Sequence, residues 1–286
     1  MPPLSPTDLP APPAELALLA IEVASEAAEF VRTRRRAHFE IDVKSSPTDM
    51  VTEVDTATDT LIRERLTARR PDDGLLTEEA ATVTGTSGIV WVVDPIDGTT
   101  NFVYGRYPHA VSIAATVDDT PVAAAVIEIA HGDRFDAWLG GGARRGGTRL
   151  APVAATPLPL ALVATGFGYD PERRRRQAAV LERIIGDVRD VRRLGAASFD
   201  LCSVACGEVD VYYEHGLGPW DLAAGRLIAS EAGCAVDRIA GGHGAGPLDG
   251  SDVIAGHPQL VEDLRALLVR SGVERVAEIV GARPPA

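Results

Sequence analysis

The chain contains the stretch Ile89-Val90-Trp91-Val92-Val93-Asp94-Pro95-Ile96-Asp97-Gly98-Thr99-Thr100-Asn101-Phe102. Its first five residues are apolar without alternation, which is typical of a strand that is covered on both faces. The strand is predicted to stop at Asp94, the first of two carboxylates three residues apart, with proline between them and glycine after the second. The stretch therefore predicts a buried strand whose carboxyl end projects both acids into the same space.

Two carboxylates this close repel each other unless a positive charge lies between them. The stretch contains no lysine, arginine or histidine. The predicted counter-charge is a hard divalent cation, Mg²⁺ before Mn²⁺, because the candidate ligands are all oxygens. The free backbone amides that follow, from Gly98 to Thr100, suit a bound phosphate if a helix starts there. The alternative is an Asx-type turn with two solvated aspartates, which leaves the buried strand unexplained.

The spacing of the acids also excludes one class of phosphatase. Enzymes of the haloacid dehalogenase type place two aspartates at positions i and i+2, and the first is a covalent nucleophile. Here the residue two before Asp97 is Pro95. The pattern therefore favours hydrolysis by metal-activated water, without a covalent intermediate.

On the N-terminal side of this stretch, the sequence predicts two helices. Apolar residues recur at helical spacing over residues 16–30, and this first helix ends at a basic run over residues 32–36. A second helix is predicted over residues 52–68, with Asp55 in its first turn.

On the C-terminal side, residues 110–150 alternate β-prone stretches with turn signals and predict an antiparallel meander. From about residue 160, strands and helices alternate. The predicted fold class is α/β, with an α+β N-terminal half and an α/β C-terminal half. We expect a disordered extension over residues 1–14, a metal- and phosphate-binding subdomain over 15–155, a second subdomain over 156–270 that completes the site, and a tail over 271–286.

Composition narrows the partners. The 286 residues are 45% hydrophobic and carry a formal net charge of −13. Such a charge repels nucleic acid and anionic membranes, and the chain lacks the ~20 consecutive apolar residues of a membrane span. The three cysteines show no paired metal-ligand spacing, which is typical of a reducing compartment. We expect a cytoplasmic protein with no nucleic-acid or membrane partner.

Two further acidic positions are weak signals alone. Asp221 directly precedes a predicted helix over residues 222–232 and, by itself, predicts a helix N-cap. The pair Glu78-Glu79 by itself predicts solvated surface. Their significance depends on the combination with Asp94 and Asp97.

Together these stretches resemble the inositol monophosphatase family. Residues 94–102 resemble its first signature, and residues 220–225 with 231–233 its second; similarity extends over roughly residues 16–269. The resemblance implies a layered αβαβα sandwich of the sugar-phosphatase type and a homodimer. It also implies Mg²⁺-dependent, lithium-sensitive hydrolysis of a phosphate monoester, with myo-inositol 1-phosphate as the expected substrate.

The resemblance assigns roles to individual residues. It implies two or three Mg²⁺ ions per site, and the ligands would be Glu78, Asp94, the carbonyl of Ile96, Asp97 and Asp221. Asp94 would bridge two of the ions.

Catalytic and substrate contacts are implied in the same way. Glu78 and Thr99, with Asp55 behind the threonine, would activate the attacking water. The amides of Gly98 and Thr99 would hold the phosphate. The alcohol part of the substrate would contact Gly195, Ala197 and Glu214. Lys44 would lie on a mobile loop that closes over the site.

The sequence departs from the family pattern at Thr77, where glycine usually precedes the acidic pair, and at Ala196, where a small polar residue is common. The first departure concerns the third metal site, and the second a substrate hydrogen bond. Related phosphatases on this scaffold hydrolyse fructose bisphosphate, histidinol phosphate or 3′-phosphoadenosine compounds, so the substrate stays open. The alternative of another class is a non-catalytic interaction protein, against which the retained cluster of mutually repelling acids argues.

Overall fold

The structure is a computed structural model that describes residues 9–34, 41–44, 50–239 and 252–273. The described residues form seven α-helices and fourteen strands, arranged as five layers in the order αβαβα. The predicted α/β class and layered sandwich are confirmed. Residues 1–8 and 274–286, which belong to the expected extension and tail, lie outside the described residues.

The first layer contains α1 (Pro13–Arg34) and α2 (Glu53–Arg69). Both bury their apolar faces against the first large sheet, in a core cluster built on the residues predicted from helical spacing. The helix α1 starts inside the segment expected to be an extension, and Leu9 and Ala11 pack on the same cluster. Between the two helices, β1 (Ile41–Val43) and β2 (Met50–Thr52) pair antiparallel, a small sheet that the polar sequence did not predict.

The seven-stranded sheet is the second layer. Its strands, in spatial order, are β3 (Gly74–Thr77), β4 (Ile89–Asp97), β5 (Ala110–Val117), β6 (Thr120–Glu128), β7 (Arg134–Trp138), β8 (Gly142–Arg145) and β9 (Thr148–Arg149). The strands β3 and β4 are parallel, and the remaining pairs are antiparallel, as the turn signals predict.

The prediction that the central strand stops at Asp94 is wrong. The strand β4 continues to Asp97, but its register against β5 shifts between these two residues. Pro95 has no N–H to donate, so regular pairing is interrupted there and the backbone bulges. The shift brings two acids that are three residues apart to the same side of the strand end, next to α3 (Thr99–Tyr104).

The second sheet is the fourth layer. Its spatial order is β11 (Asp190–Arg192), β10 (Leu162–Thr165), β12 (Val211–His215), β14 (Asp252–Gly256) and β13 (Ala235–Asp237). The strand β10 is parallel to β11 and β12, whereas β14 is antiparallel to its neighbours. The sequence did not predict β13, whose three residues are too few to show a period.

Two helices lie between the sheets and two lie outside. The outer pair, α4 (Pro171–Ile184) and α7 (Pro258–Arg270), packs on the second sheet. The inner pair, α5 (Ala197–Ala205) and α6 (Pro219–Glu231), joins both sheets in one core cluster, and every residue of α5 is buried. The first turns of α5 and α6 therefore meet the end of β4. None of the described helices is long and apolar enough to cross a membrane.

Candidate active site

Three aspartates from distant parts of the chain converge at the end of β4. Asp94 and Asp97 come from that strand and Asp221 from the first turn of α6; one carboxylate oxygen of each lies within 4.8 Å of the others. The helix α6 is capped by Gly218, so Asp221 is its third residue and not the N-cap that its position alone predicts. Its carboxylate accepts a hydrogen bond from the Gly218 amide at 2.5 Å.

The electrostatics of these acids indicate a cation site. Burial, together with the charges of Glu78 and of the other two aspartates, raises the pKa of Asp94 well above its usual value, and Asp221 is shifted in the same direction. Burial raises the pKa of Asp97 to about 6, although hydrogen bonds from Ser198 oppose the shift. Acids that disfavour each other's ionisation are stabilised by a divalent cation, and a donor set made of oxygens fits Mg²⁺.

We expect the metal-free protein to lose stability as the pH rises from about 4 to about 7. A raised carboxyl pKa means that the folded state binds more protons than the unfolded chain, whose carboxyls titrate near 4, so stability falls with pH across this window. A divalent cation would favour the deprotonated acids and should oppose the loss. Melting temperatures at pH 5 and 7.5, with EDTA or MgCl₂, test this. The Asp94→Asn protein should show a flatter metal-free profile, and a metal-free melting temperature that rises with pH would contradict the prediction.

The first turn of α5 holds Asp97 in place. The amides of Ala197 and Ser198 donate to its two carboxylate oxygens at 3.2 and 2.7 Å, and the Ser198 hydroxyl donates at 2.5 Å. Ser198 was not among the predicted site residues. Ala197 stays a predicted substrate contact, and its backbone amide also holds Asp97. The sequence shows only that Ser198 lies in the first turn of a predicted helix, and this does not predict a contact with a residue about a hundred positions away.

Lys44 lies between the two glutamates that precede the central strand. Its ammonium donates to Glu78 at 2.7 Å and to Glu79 at 2.6 Å. Burial lowers the pKa of Lys44, but the two carboxylates raise it above its usual value; burial and Glu78 raise the pKa of Glu79 to about 7. Glu78 is not part of the three-aspartate cluster. Its amide bonds the carbonyl of Val93, the residue before Asp94, and its charge raises the pKa of Asp94.

Thr77, which stands where the family usually has glycine, is buried at the end of β3. Its hydroxyl accepts a hydrogen bond from Arg63 at 3.3 Å. The next residue, Glu78, donates its amide to Val93 at 3.1 Å and so extends the pairing between β3 and β4. The threonine is thus accommodated within regular strand pairing.

Thr99 and Gly98 form the other wall of the cluster. The Thr99 hydroxyl lies 3.1 Å from an Asp55 carboxylate oxygen and 3.1 Å from the Ile96 carbonyl. Gly98 has a φ of 88°, and a Cβ added to it would lie 3.0 Å from the Gly195 carbonyl. Glycine is therefore required by both conformation and space.

Comparison with known proteins identifies this arrangement. The family model described as the inositol monophosphatase family matches residues 13–273. The chain belongs to this family. Inositol-1-monophosphatase SuhB of Mycobacterium tuberculosis is 44% identical over 289 residues, covering 93% of this chain and 98% of that protein.

Two other members of the inositol monophosphatase family extend the comparison. The Nus factor SuhB of Escherichia coli is 39% identical over 224 residues, covering 76% of this chain and 82% of that protein. The crystal structure of the extragenic suppressor protein SuhB of Bartonella henselae superposes with a TM-score of 0.84 at 30% identity, covering 89% of this chain and 98% of that one. As a member of this family, with relatives named inositol-1-monophosphatase, the chain is a phosphoric monoester hydrolase.

In this phosphatase, Glu214 at the end of β12 points toward a glycine. The Tyr212 hydroxyl donates to Glu214 Oε2 at 2.7 Å, and a Cβ added to Gly166 would lie 1.8 Å from the same oxygen. Burial raises the pKa of Glu214 to about 7, which the hydrogen bond from Tyr212 and the charge of Arg193 oppose. Neither Gly166 nor Tyr212 was given a role from the sequence. Tyr212 lies two residues before Glu214 and so on the same face of β12, whereas Gly166 follows β10, the strand that pairs with β12.

Asn101 joins the two sides of the site. Its side-chain amide donates to the carbonyls of Pro108 and Leu194 at 2.6 and 2.8 Å. This places the start of α3, which carries Thr99, against the loop that carries Gly195. Both hydrogen bonds need a donor, which only the amide nitrogen of the asparagine supplies.

Asn101→Asp should therefore destabilise the protein by at least about 2 kcal/mol, because a carboxylate would face two carbonyl oxygens that have lost their donor. Urea unfolding of the metal-free protein measures this. Thr100→Ala is the matched control, since the Thr100 hydroxyl makes no hydrogen bond to the described part of the chain and its loss should cost no more than about 0.5 kcal/mol. Equal unfolding midpoints for the two variants would contradict the proposed link.

Proposed function

We propose that this chain is a Mg²⁺-dependent phosphatase whose preferred substrate is a polyol monophosphate, most specifically myo-inositol 1-phosphate. The observation that carries the proposal is the cluster of Asp94, Asp97 and Asp221 with the Thr99 hydroxyl beside it. The name of the M. tuberculosis relative supports the choice of substrate.

The proposed metal ligands are all oxygens and fit Mg²⁺, with Mn²⁺ as a substitute: Glu78, Asp94, the Ile96 carbonyl, Asp97 and Asp221. We propose two or three ions per site. When bound, the ions supply positive charge that acidifies a water molecule and neutralises phosphate oxygens. The Lys44 ammonium donates a hydrogen bond to the Glu78 carboxylate in this structure. This contact must break before Glu78 can act as a metal ligand.

Thr99 orients the attacking water. A hydroxyl has one proton to donate, and Asp55 competes for it with the Ile96 carbonyl. When the Thr99 hydroxyl donates its hydrogen bond to Asp55, the lone pairs of the Thr99 oxygen can accept a hydrogen bond from water. The lone pairs of the Ile96 carbonyl oxygen are then also free. Glu78 then takes the proton of the water as general base. The amides of Gly98 and Thr99 hold the phosphate.

The part of the site proposed to bind the alcohol group of the substrate is lined by Gly195, Ala197 and Glu214. A carboxylate accepts hydrogen bonds from neutral hydroxyls and repels a second anionic group. Glu214 therefore favours a polyol over a bisphosphate or a nucleotide.

Phosphate release from four substrates tests the proposal: myo-inositol 1-phosphate, fructose 1,6-bisphosphate, histidinol phosphate and 3′-phosphoadenosine 5′-phosphate. Each is assayed with MgCl₂, with MnCl₂ and with EDTA. We expect the highest kcat/KM for the inositol ester and no turnover in EDTA. Metal-independent turnover would overturn the metal mechanism, whereas preference for another ester would overturn only the substrate.

We further propose a cytoplasmic homodimer, lithium inhibition that strengthens with substrate concentration, and a subdomain division near residue 155. The family resemblance supports the first two properties. Lithium inhibition of this form is expected if Li⁺ binds the enzyme that still holds its product. There, Coulomb repulsion between the cations weakens binding of the last divalent ion, so that Li⁺ can replace it.

The name of the E. coli relative favours a second candidate, a role in binding a protein partner. The retained acid cluster argues that such a role accompanies catalysis and does not replace it. Capture of a stoichiometric partner by the catalytically silent Asp94→Asn protein would support this candidate, and failure to turn over every ester tested would make it the main function.

A further inference from the structure

Gln177 is a buried polar residue of α4 to which the proposed function gives no role. The buried face of this helix consists of Gln177, Val180 and Ile184, and Gln177 is only 7% exposed. Val180 and Ile184 pack in the core cluster on the outer side of the second sheet. A side-chain amide is stabilised in such a place only where its polar atoms are hydrogen-bonded.

Both ends of the Gln177 amide bond the backbone. Its Oε1 atom accepts a hydrogen bond from the Gly168 amide at 2.9 Å, and its Nε2 atom donates to the His215 carbonyl at 3.2 Å. A backbone amide only donates and a carbonyl only accepts, so a side chain that joins these two groups must carry both an acceptor and a donor. Glutamine meets this requirement, and the two hydrogen bonds together are called the Gln177 bridge below.

The Gln177 bridge lies where two paired strands separate. The last pair in the parallel ladder between β10 and β12 is Thr165 with Tyr213. Beyond this pair, β10 has ended and its loop leads to Gly168, whereas β12 continues to His215. The side chain of Gln177 therefore connects the two segments at a point that backbone pairing no longer reaches.

Gly166 and Glu214 lie between the last ladder pair and the Gln177 bridge. Each directly follows one member of that pair, Thr165 or Tyr213. A Cβ added to Gly166 would lie 1.8 Å from Glu214 Oε2, so the carboxylate rests directly against the Gly166 backbone. The loop that carries Gly166 is attached by the ladder on one side and by the Gln177 bridge on the other, and both attachments keep this backbone against Glu214.

Gln177 acts from the side of the second sheet that faces away from Glu214. The Glu214 carboxylate bonds Tyr212, which belongs to the core cluster between the two sheets, whereas α4 packs on the outer cluster. Gln177 therefore reaches the site through the backbone of Gly168 and His215 and does not contact the substrate.

We propose that Gln177 is a positioning residue for the alcohol part of the substrate. Its two hydrogen bonds hold Gly168 to His215, keep the Gly166 backbone against Glu214 and so fix the direction in which Glu214 accepts from substrate hydroxyls. A binding group selects its ligand only while its own orientation is held by its surroundings. The inference rests on the proposed function, since it requires Glu214 to bind a polyol.

Gln177→Met tests this role, because methionine is unbranched and apolar and can form neither hydrogen bond of the bridge. The test compares two esters, myo-inositol 1-phosphate and 4-nitrophenyl phosphate, which lacks a polyol. We expect kcat/KM for the inositol ester to fall about tenfold, the effect of about one net hydrogen bond, and that for the nitrophenyl ester to change less than about twofold. Gln177→Asn keeps an amide that is too short to bond both groups, and it should show a smaller loss in the same direction.

Ile184→Val is the control for stability, because it removes one methyl group from the same buried face of α4 and leaves the Gln177 bridge in place. It should melt earlier than the wild type and keep the wild-type ratio of the two esters. Gln177→Asn leaves at most one backbone group unpaired, so it provides a folded variant if Gln177→Met does not fold.

Three results would overturn the role of Gln177: equal losses on both esters in the folded Gln177 variants, an unchanged ratio in them, or a changed ratio in Ile184→Val. If the wild type itself does not prefer the inositol ester, the proposed function fails and the role of Gln177 fails with it. A selective loss on the inositol ester in the Gln177 variants alone would support the inference.

Discussion

Asp94→Asn should lower kcat for Mg²⁺-dependent phosphate release by about 100- to 1,000-fold, the size of effect seen when a central charge-stabilising group is removed. Asp94 is buried among Asp97, Asp221 and Glu78, whose charges all raise its pKa. A bound cation should therefore strongly favour its charged form. Asparagine keeps the shape and the acceptor that the Ile96 amide uses at 3.0 Å, but it removes the charge.

Glu79→Gln is the matched control for this experiment. Glu79 is also buried and acidic, but its partner is Lys44, and it is not in the aspartate cluster. Its loss should change kcat only slightly and leave the apparent affinity for Mg²⁺ near that of the wild type. Steady-state rates over a Mg²⁺ titration separate the two variants. Comparable rates would contradict the proposed role of Asp94 as a metal ligand and the proposal that Glu78, and not Glu79, is a ligand.

Asp55→Asn should lower kcat about 100-fold with little change in KM, because correct orientation of a proton-transfer group contributes effects of this size. One Asp55 oxygen accepts from the Thr99 hydroxyl, and the other accepts from Thr52, which caps α2. In Asp55→Asn, the side-chain NH₂ group replaces one of the two acceptor oxygens and faces either Thr99 or Thr52. Where it faces Thr99, it donates to the hydroxyl oxygen and takes up the lone pairs that would accept from water. Steady-state kinetics on the preferred ester measure the effect.

Loss of stability must be separated from loss of orientation in this variant, since Asp55 also belongs to the capping box of α2. Thr52→Ala provides the separation. It removes the cap and should cost about 1 kcal/mol, but it leaves the bond between Asp55 and Thr99 in place. We expect it to melt earlier and keep most of its kcat. A Thr52→Ala protein as inactive as Asp55→Asn would show that capping, and not Thr99, explains the loss.

Features that depend on neighbours along the chain were predictable from the sequence. The apolar run before Asp94 predicted a central buried strand. Apolar spacing predicted α1, and the acidic first turn predicted α2, both to within a few residues. The three-residue spacing of Asp94 and Asp97 predicted the acidic strand end. The strand boundary was wrong because a proline-induced bulge keeps the backbone in the sheet after regular pairing is interrupted.

The distant groups that complete the site are brought together by tertiary packing and could not be predicted from the sequence. Asp221 joins the cluster because α6 is packed between the sheets with its first turn toward β4, and Ser198 reaches Asp97 because α5 lies beside it. The confinement of Glu214 by Gly166 likewise arises from the parallel pairing of β10 with β12. These contacts depend on how two sheets and two helices share one core. The free energy of that packing is spread over many apolar residues, none of which encodes the polar contact that the packing creates.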